Sequence, residues 1–308
     1  MNKDLRPSET NLLSHYADRK MDHPLILVMG PLRSGTTLFT QWLANTGLVS
    51  YPTNLLSRFY QAPIIGAKIQ LLLTDPRFNF RDELGEFAQQ SEYKSENGKT
   101  MGVLAPNEFW YFWRRFLEEP TRDVWTDEEL RQTVDVSTMK AELFGIMDVF
   151  QKPFSAKGML FNYNIPFLDS ILDKVVFVQI QRDMVTNVSS VLDARKRQLG
   201  SENEWYSFKI PEYSQLKDLC PIAQSAGQVH YINTAVTKGM ATLDESRKMV
   251  IQYEDFCQNP RQVFDELIMK LDLSKQDCSY AGPKKFTKSR NSDVTNSRSI
   301  QKAITTFL

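Results

Sequence analysis

The chain alternates short apolar runs with longer amphipathic stretches, and the sharpest change of pattern falls between residues 25 and 45. Leu25-Ile-Leu-Val-Met29 is an unbroken aliphatic run, as a short strand buried on both faces requires. After two glycines, Gly30 and Gly35, the period becomes helical. Leu38, Phe39, Trp42 and Leu43 share one face of Thr36–Asn45, and Gly47 supplies a stop. The same change recurs downstream. Val175–Ile180 predicts a second doubly buried strand, followed by a helix over Met184–Leu199 with Met184, Val188, Val191 and Leu192 aligned. Lys157–Phe161 and Met249–Tyr253 predict further strands; Gln224–Met240 and Pro260–Leu271 predict helices.

Between the first two strand–helix units, residues 50–152 read as mainly helical with loops. Thr74–Lys99 is polar, with Tyr93–Lys99 expected as exposed loop. Asn107–Glu119 crowds together Phe109, Trp110, Tyr111, Phe112, Trp113 and Phe116, and Asp127–Phe150 has the pattern of one amphipathic helix. Strands alternating with helices predict an α/β fold, a three-layer sandwich with a central parallel sheet flanked by helices. Ligands of such sheets sit beyond the carboxyl ends of the strands. With no internal repeat, low-complexity tract or Pro/Gly linker, residues 1–308 read as a single domain with an N-terminal extension over 1–22.

Composition narrows the class only modestly. The 308 residues are 42% hydrophobic and 24% charged, and 37 Lys+Arg balance 37 Asp+Glu. That balance gives no reason to expect nucleic acid or an anionic membrane as partner. Cys220, Cys257 and Cys278 are widely spaced and odd in number, so reduced thiols are expected. Three scattered histidines predict no metal. Residues 1–22 carry no apolar core of a leader, and no run approaches the ~20 apolar residues of a membrane span, so a cytoplasmic protein is expected.

The chemistry concentrates at the strand–helix turns. Gly30-Pro-Leu-Arg-Ser-Gly35-Thr36-Thr37 has the glycine spacing of a Walker A loop. Backbone N–H groups of such a turn, at a helix N-terminus, bind anions. Thr36 stands where the Walker lysine belongs, and the positive charge has moved to Arg33. That loss argues against a P-loop kinase or NTPase. At the second turn a buried strand runs into Arg182, a group able to pair two phosphate oxygens, beside a new helix start.

Arg33-Ser34-Gly35-Thr36-Thr37 resembles the 5′-phosphosulfate loop of sulfotransferases, which use 3′-phosphoadenosine-5′-phosphosulfate (PAPS). Arg182 followed eight residues later by Ser190 resembles that family's 3′-phosphate motif, with the adjacent Ser189 an alternative contact. Tyr253-Glu-Asp-Phe256, then Asn259-Pro260, resembles the segment whose tyrosine lies by the adenine. The resemblance covers roughly residues 25–45 and 157–271 and is closer to bacterial-type members. It implies a P-loop-like fold, PAPS as sulfuryl donor, 3′,5′-bisphosphoadenosine (PAP) as product, no metal, and a carbohydrate or other small alcohol as acceptor, with residues 50–152 lining the acceptor cleft. It assigns Arg33, Ser34, Gly35, Thr36, Thr37, Arg182, Ser190 and Tyr253 to the donor. A basic tail, six Lys/Arg against Asp293 alone over residues 284–302, adds Lys285 and Arg290, although the family's R-K-G triplet is absent. Lys157, ahead of an expected strand, resembles the lysine that reaches the sulfuryl group.

The general base departs from the family pattern. Met159 stands where phenol-type members carry histidine, and Thr53 and Asn54 where arginine-loop members carry glutamate. Glu108 is the expected base, because it opens the aromatic segment, whose rings are expected to raise its pKa by desolvation. A plain early-helix acid is the alternative reading. Trp205, Tyr206 and Pro211 are expected to form a lid. A P-loop nucleotide kinase or NTPase is the alternative enzyme reading, and a non-catalytic nucleotide-binding protein on the same fold is the other alternative.

Overall fold

All five residues of the first apolar run are buried, and the run forms an inner strand of a four-stranded parallel sheet. The computed structural model describes residues 1–17, 19–78, 81, 95–96, 99–119, 122–273, 278–287 and 297–307. In chain order its elements are α1 (Asn2–Leu13), β1 (Leu25–Met29), α2 (Thr36–Asn45), α3 (Pro63–Thr74), β2 (Ser95–Glu96), β3 (Lys99–Thr100), α4 (Trp110–Arg114), α5 (Asp127–Thr133), α6 (Val136–Phe150), β4 (Phe154–Lys157), α7 (Ile165–Ile171), β5 (Val175–Gln181), α8 (Met184–Leu199), α9 (Tyr213–Leu216), α10 (Pro221–Ala241), β6 (Lys248–Gln252), α11 (Tyr253–Gln258), α12 (Pro260–Lys270) and α13 (Ser297–Thr305). The sheet order is β4-β1-β5-β6, with Leu25 opposite both Phe154 and Val175.

Strand alternation divides the core into two layers. Leu25, Leu27, Met29, Val175 and Phe177 face a cluster with Ile165, Val188, Val191, Val229 and Ile232 from α7, α8 and α10. Ile26, Val28, Val176, Val178 and Ile180 face Phe39, Trp42, Phe256 and Phe264 from α2, α11 and α12. This is the expected helix–sheet–helix sandwich. Helix α8 begins where the Asp183 carboxylate accepts the Thr186 N–H (2.9 Å) and stops at Gly200, whose φ is +75°.

Three elements differ from the sequence reading. The strand expected to begin at Lys157 ends there, because Phe154-Ser-Ala-Lys157 pairs with Leu25–Val28. The chain then turns at Gly158, where an added Cβ would stand 2.6 Å from Met29 Sδ. Residues 127–150 form two helices instead of one. Val134 is extended, and the Asp135 carboxylate caps a fresh start by accepting the Thr138 N–H at 3.0 Å. Finally, Ser95–Glu96 and Lys99–Thr100 pair as β2 and β3 where loop was expected; residues 93, 94, 97 and 98 lie outside the described residues.

The N-terminal helix is tied to the body by a buried carboxyl group. Glu9 of α1 is 0% exposed and accepts the N–H groups of Ile64 (2.7 Å) and Ile65 (3.0 Å) at the start of α3. Burial pushes its carboxyl up to about 7, against those two hydrogen bonds. A folded carboxyl that holds its proton above the unfolded value of 4.5 contributes stability that is full below 4.5 and is lost as pH rises through 7. Glu9→Gln is therefore expected to flatten the fall in denaturation midpoint between about pH 5 and pH 8, measured by urea unfolding.

Candidate active site

The loop after β1 is shaped by contacts that lie outside the motif. Gly30, at φ +134°, is gripped by the Asn162 side chain, which accepts the Gly30 N–H (3.0 Å) and donates to its carbonyl (2.9 Å). Asn187 of α8 donates to the Leu32 carbonyl at 2.9 Å. Arg33 is itself in the left-handed region at φ +61°, a strained setting for a side chain bearing a Cβ, held by these neighbours. Gly35, at φ +105°, caps α2, and a Cβ there would meet the Tyr253 ring at 2.2 Å. Only glycine admits that close approach.

Arg182 lies just past the carboxyl end of β5, 8% exposed. Its guanidinium donates to the Arg33 carbonyl (3.0 Å) and stacks 4.8 Å over the Tyr253 ring. Arg33 Nε in turn donates to Ser190 Oγ at 3.3 Å. The two anion motifs read from the sequence are thus one connected array. Burial pulls the Arg33 guanidinium below the ordinary arginine range, and the cations Arg197 and Arg182 push the same way.

Lys157 ends β4 and reaches the same edge. Its ammonium, 6% exposed, donates to Thr37 Oγ1 (2.9 Å) and pairs with Glu108 Oε1 (2.7 Å). The other Glu108 oxygen accepts the Trp110 indole N–H. Burial raises the Glu108 pKa as expected, but Lys157, the indole N–H and Arg33 together outweigh it. The carboxyl ends below its ordinary 4.5, which corrects the expected raised value. The aromatic segment does desolvate this acid, yet the same fold sets a lysine against it.

These groups line a cleft of about 340 Å3, together with Leu32, Gly35, Thr36, Tyr206 and Thr287. That volume falls in the range of small-molecule sites, ~300–1,000 Å3. A second cleft, about 880 Å3, adjoins it and shares Glu108 and Trp110.

The Sulfotransferase family model matches residues 24–277. The chain belongs to the sulfotransferase family. A solved Mycobacterium tuberculosis H37Rv sulfotransferase shares its fold at 13% identity, with a TM-score of 0.55 over 97% of this chain and 81% of that one. A Mycobacterium avium sulfotransferase aligns at 17% identity and TM-score 0.49, covering 87% of this chain and 71% of that one. The sulfotransferase domain from the Synechococcus PCC 7002 olefin synthase aligns at 17% identity and TM-score 0.43, covering 83% and 76%. No curated protein matches. Among the described residues no helix is long and apolar enough to cross a membrane, and no cluster of His, Cys, Asp or Glu is suited to a metal ion.

Within this sulfotransferase-family fold, Arg33, Gly35, Thr36, Thr37, Lys157, Arg182, Tyr253 and Glu108 meet at one cleft. Ser34 and Ser190 are not part of the cleft wall. Ser34 is 0% exposed with its hydroxyl unpartnered among the described residues, and Ser190, 4% exposed, faces Arg33. Ser189 is half-buried. Lys285 is exposed and absent from the wall, although Thr287 of the same segment lines it; Arg290 lies outside the described residues. Of the expected lid, Tyr206 and its neighbour Ser207 reach the cleft, held by Gln228, which donates to the Tyr206 carbonyl at 3.1 Å. The aromatic run splits: Phe109, Phe112, Trp113 and Phe116 are core, while Trp110 faces both clefts and Tyr111 is exposed. His230 lies within α10, edge-on to Tyr231 and stacked near Phe307, and is not part of the cleft wall. Sequence reasoning missed Asn162 and Asn187, which shape the loop from 132 and 155 residues away. Single buried polar residues, one in a turn and one within a helix, leave no pattern to find.

Proposed function

We propose that the chain transfers a sulfuryl group from PAPS to a hydroxyl of a carbohydrate or other small alcohol. The observation that carries this reading is the placement of Lys157, which joins Thr37 of the donor loop to Glu108 at the junction of the two clefts. Arg33, Thr36, Thr37 and the α2 N-terminus are suited to the 5′-phosphosulfate, Arg182 to the 3′-phosphate, and Tyr253 to the adenine. When bound, the donor supplies the sulfuryl group and a phosphate leaving group. Glu108, ionised throughout the neutral range, takes the proton of the acceptor hydroxyl as the new oxygen–sulfur bond forms and the old one breaks. Lys157 and Arg33 stabilise the negative charge that grows on the departing phosphate oxygen. As Lys157 turns toward that charge, its hold on Glu108 weakens and the carboxylate becomes a stronger base. Proximity and preorganised charge do most of this work.

The test is transfer of label from radiolabelled PAPS to sugars and simple alcohols, with PAP release followed in parallel. Label in an acceptor, lost in Glu108→Gln, supports the reading. PAP binding without transfer to any acceptor favours the non-catalytic alternative.

A further inference from the structure

The second cleft has an asymmetric chemistry. Its wall is largely apolar, formed by Leu55, Met101, Val103, Pro106 and Trp110, and Met101 and Val103 are 89% and 40% exposed. Its polar residues are already committed to one another. Asn54 donates to the carbonyls of Thr100 (3.0 Å) and Gly102 (2.8 Å) and accepts from the Asn107 amide (2.9 Å). Asn107 accepts the Phe109 N–H at 2.9 Å, and the Thr100 hydroxyl donates to the Pro106 carbonyl. These bonds build the wall and leave little to recognise a polyhydroxylated ligand.

Two charges remain on the lining, Glu108 and Arg58. Glu108 is balanced by Lys157 at 2.7 Å. Arg58 is exposed and makes no side-chain hydrogen bond or ion pair among the described residues; only its backbone is engaged, the carbonyl accepting from the Asn2 amide (2.8 Å) and the N–H donating to the Leu55 carbonyl (3.0 Å). The cleft therefore offers an apolar surface, a neutralised reaction end, and one uncompensated cation. We propose that Arg58 selects acceptors that carry an anionic group, a carboxylate on an apolar body, whose hydroxyl lies at Glu108. This rests on the transfer reading above and narrows its acceptor class from small alcohols to anionic amphiphiles. The guanidinium fork matches a carboxylate in two charge-assisted hydrogen bonds.

The test compares ω-hydroxyalkanoates of increasing chain length with their methyl esters, on wild type and Arg58→Ala. Binding is read by calorimetry with and without PAP, and kcat/KM by radiolabel transfer. The expected result is that acids bind wild type about tenfold more tightly than esters, the gap that one charge-assisted hydrogen bond supports. Arg58→Ala closes that gap and leaves PAP binding intact, and added salt narrows it in wild type. Equal binding of acid and ester to wild type, a gap that survives Arg58→Ala, or no binding of either at any length overturns the proposal. Failure of PAP to bind wild type counts against the transfer reading instead, and the acid–ester comparison without PAP still decides the role of Arg58.

Discussion

Glu108→Gln lowers kcat by roughly 10²–10⁴-fold, the span that a positioned general base contributes. The amide keeps the size of the side chain and can still receive the Trp110 indole N–H, so PAP affinity is expected to be unchanged. Steady-state transfer kinetics beside PAP calorimetry check both halves. The pH profile adds a sharper criterion. Because Lys157 holds the carboxyl below 4.5, kcat/KM of the wild type is expected to stay flat through the neutral range and to fall only in acid. An acid limb near neutrality in the wild type contradicts the assignment of Glu108.

Lys157→Ala has the second largest effect, about 10²–10³-fold in kcat, the usual result of deleting one preorganised group that stabilises transition-state charge. It also moves the acid limb. Without the lysine, burial of Glu108 has lost its main opponent, so the carboxyl takes up a proton at higher pH. The sign is fixed: desolvation raises this pKa, and the Coulombic pull and hydrogen bond of Lys157 are the leading forces that lower it. The acid limb is therefore expected to shift toward neutral in Lys157→Ala, with the remaining activity rising as pH rises. A lysine that merely anchors β4 lowers activity without shifting that limb.

Much of the Arg33–Arg182 side of the cleft was legible in the sequence because it is local. Strand, glycine turn and helix follow one another within 21 residues, and β1 and α2 have the bounds that the apolar pattern predicts. The run of β-branched residues into Arg182 places that arginine at a carboxyl edge for the same reason. Lys157 was legible as a candidate but was put at the wrong end of its strand. Phe154 and Ala156 alternate too briefly to mark a strand, and register against β1 settles the matter only in three dimensions. The ionisation of Glu108 was misread for a related cause. Nearby aromatics are visible in sequence, whereas a lysine 49 residues away is not. The helix break at Val134–Asp135 was hidden because the apolar spacing on either side fits one continuous period. A single aspartate cap overrides it.

The most direct measurement of the central claim is calorimetric binding of PAP, set against ADP and ATP with magnesium, to wild type, Arg33→Ala and Arg182→Ala. PAP is expected to bind more tightly than either comparison nucleotide. Each arginine variant is expected to weaken it by about tenfold to a hundredfold, as loss of a charge-assisted pair to phosphate does. Tighter binding of ATP–magnesium, with Arg182→Ala indistinguishable from wild type, contradicts the account.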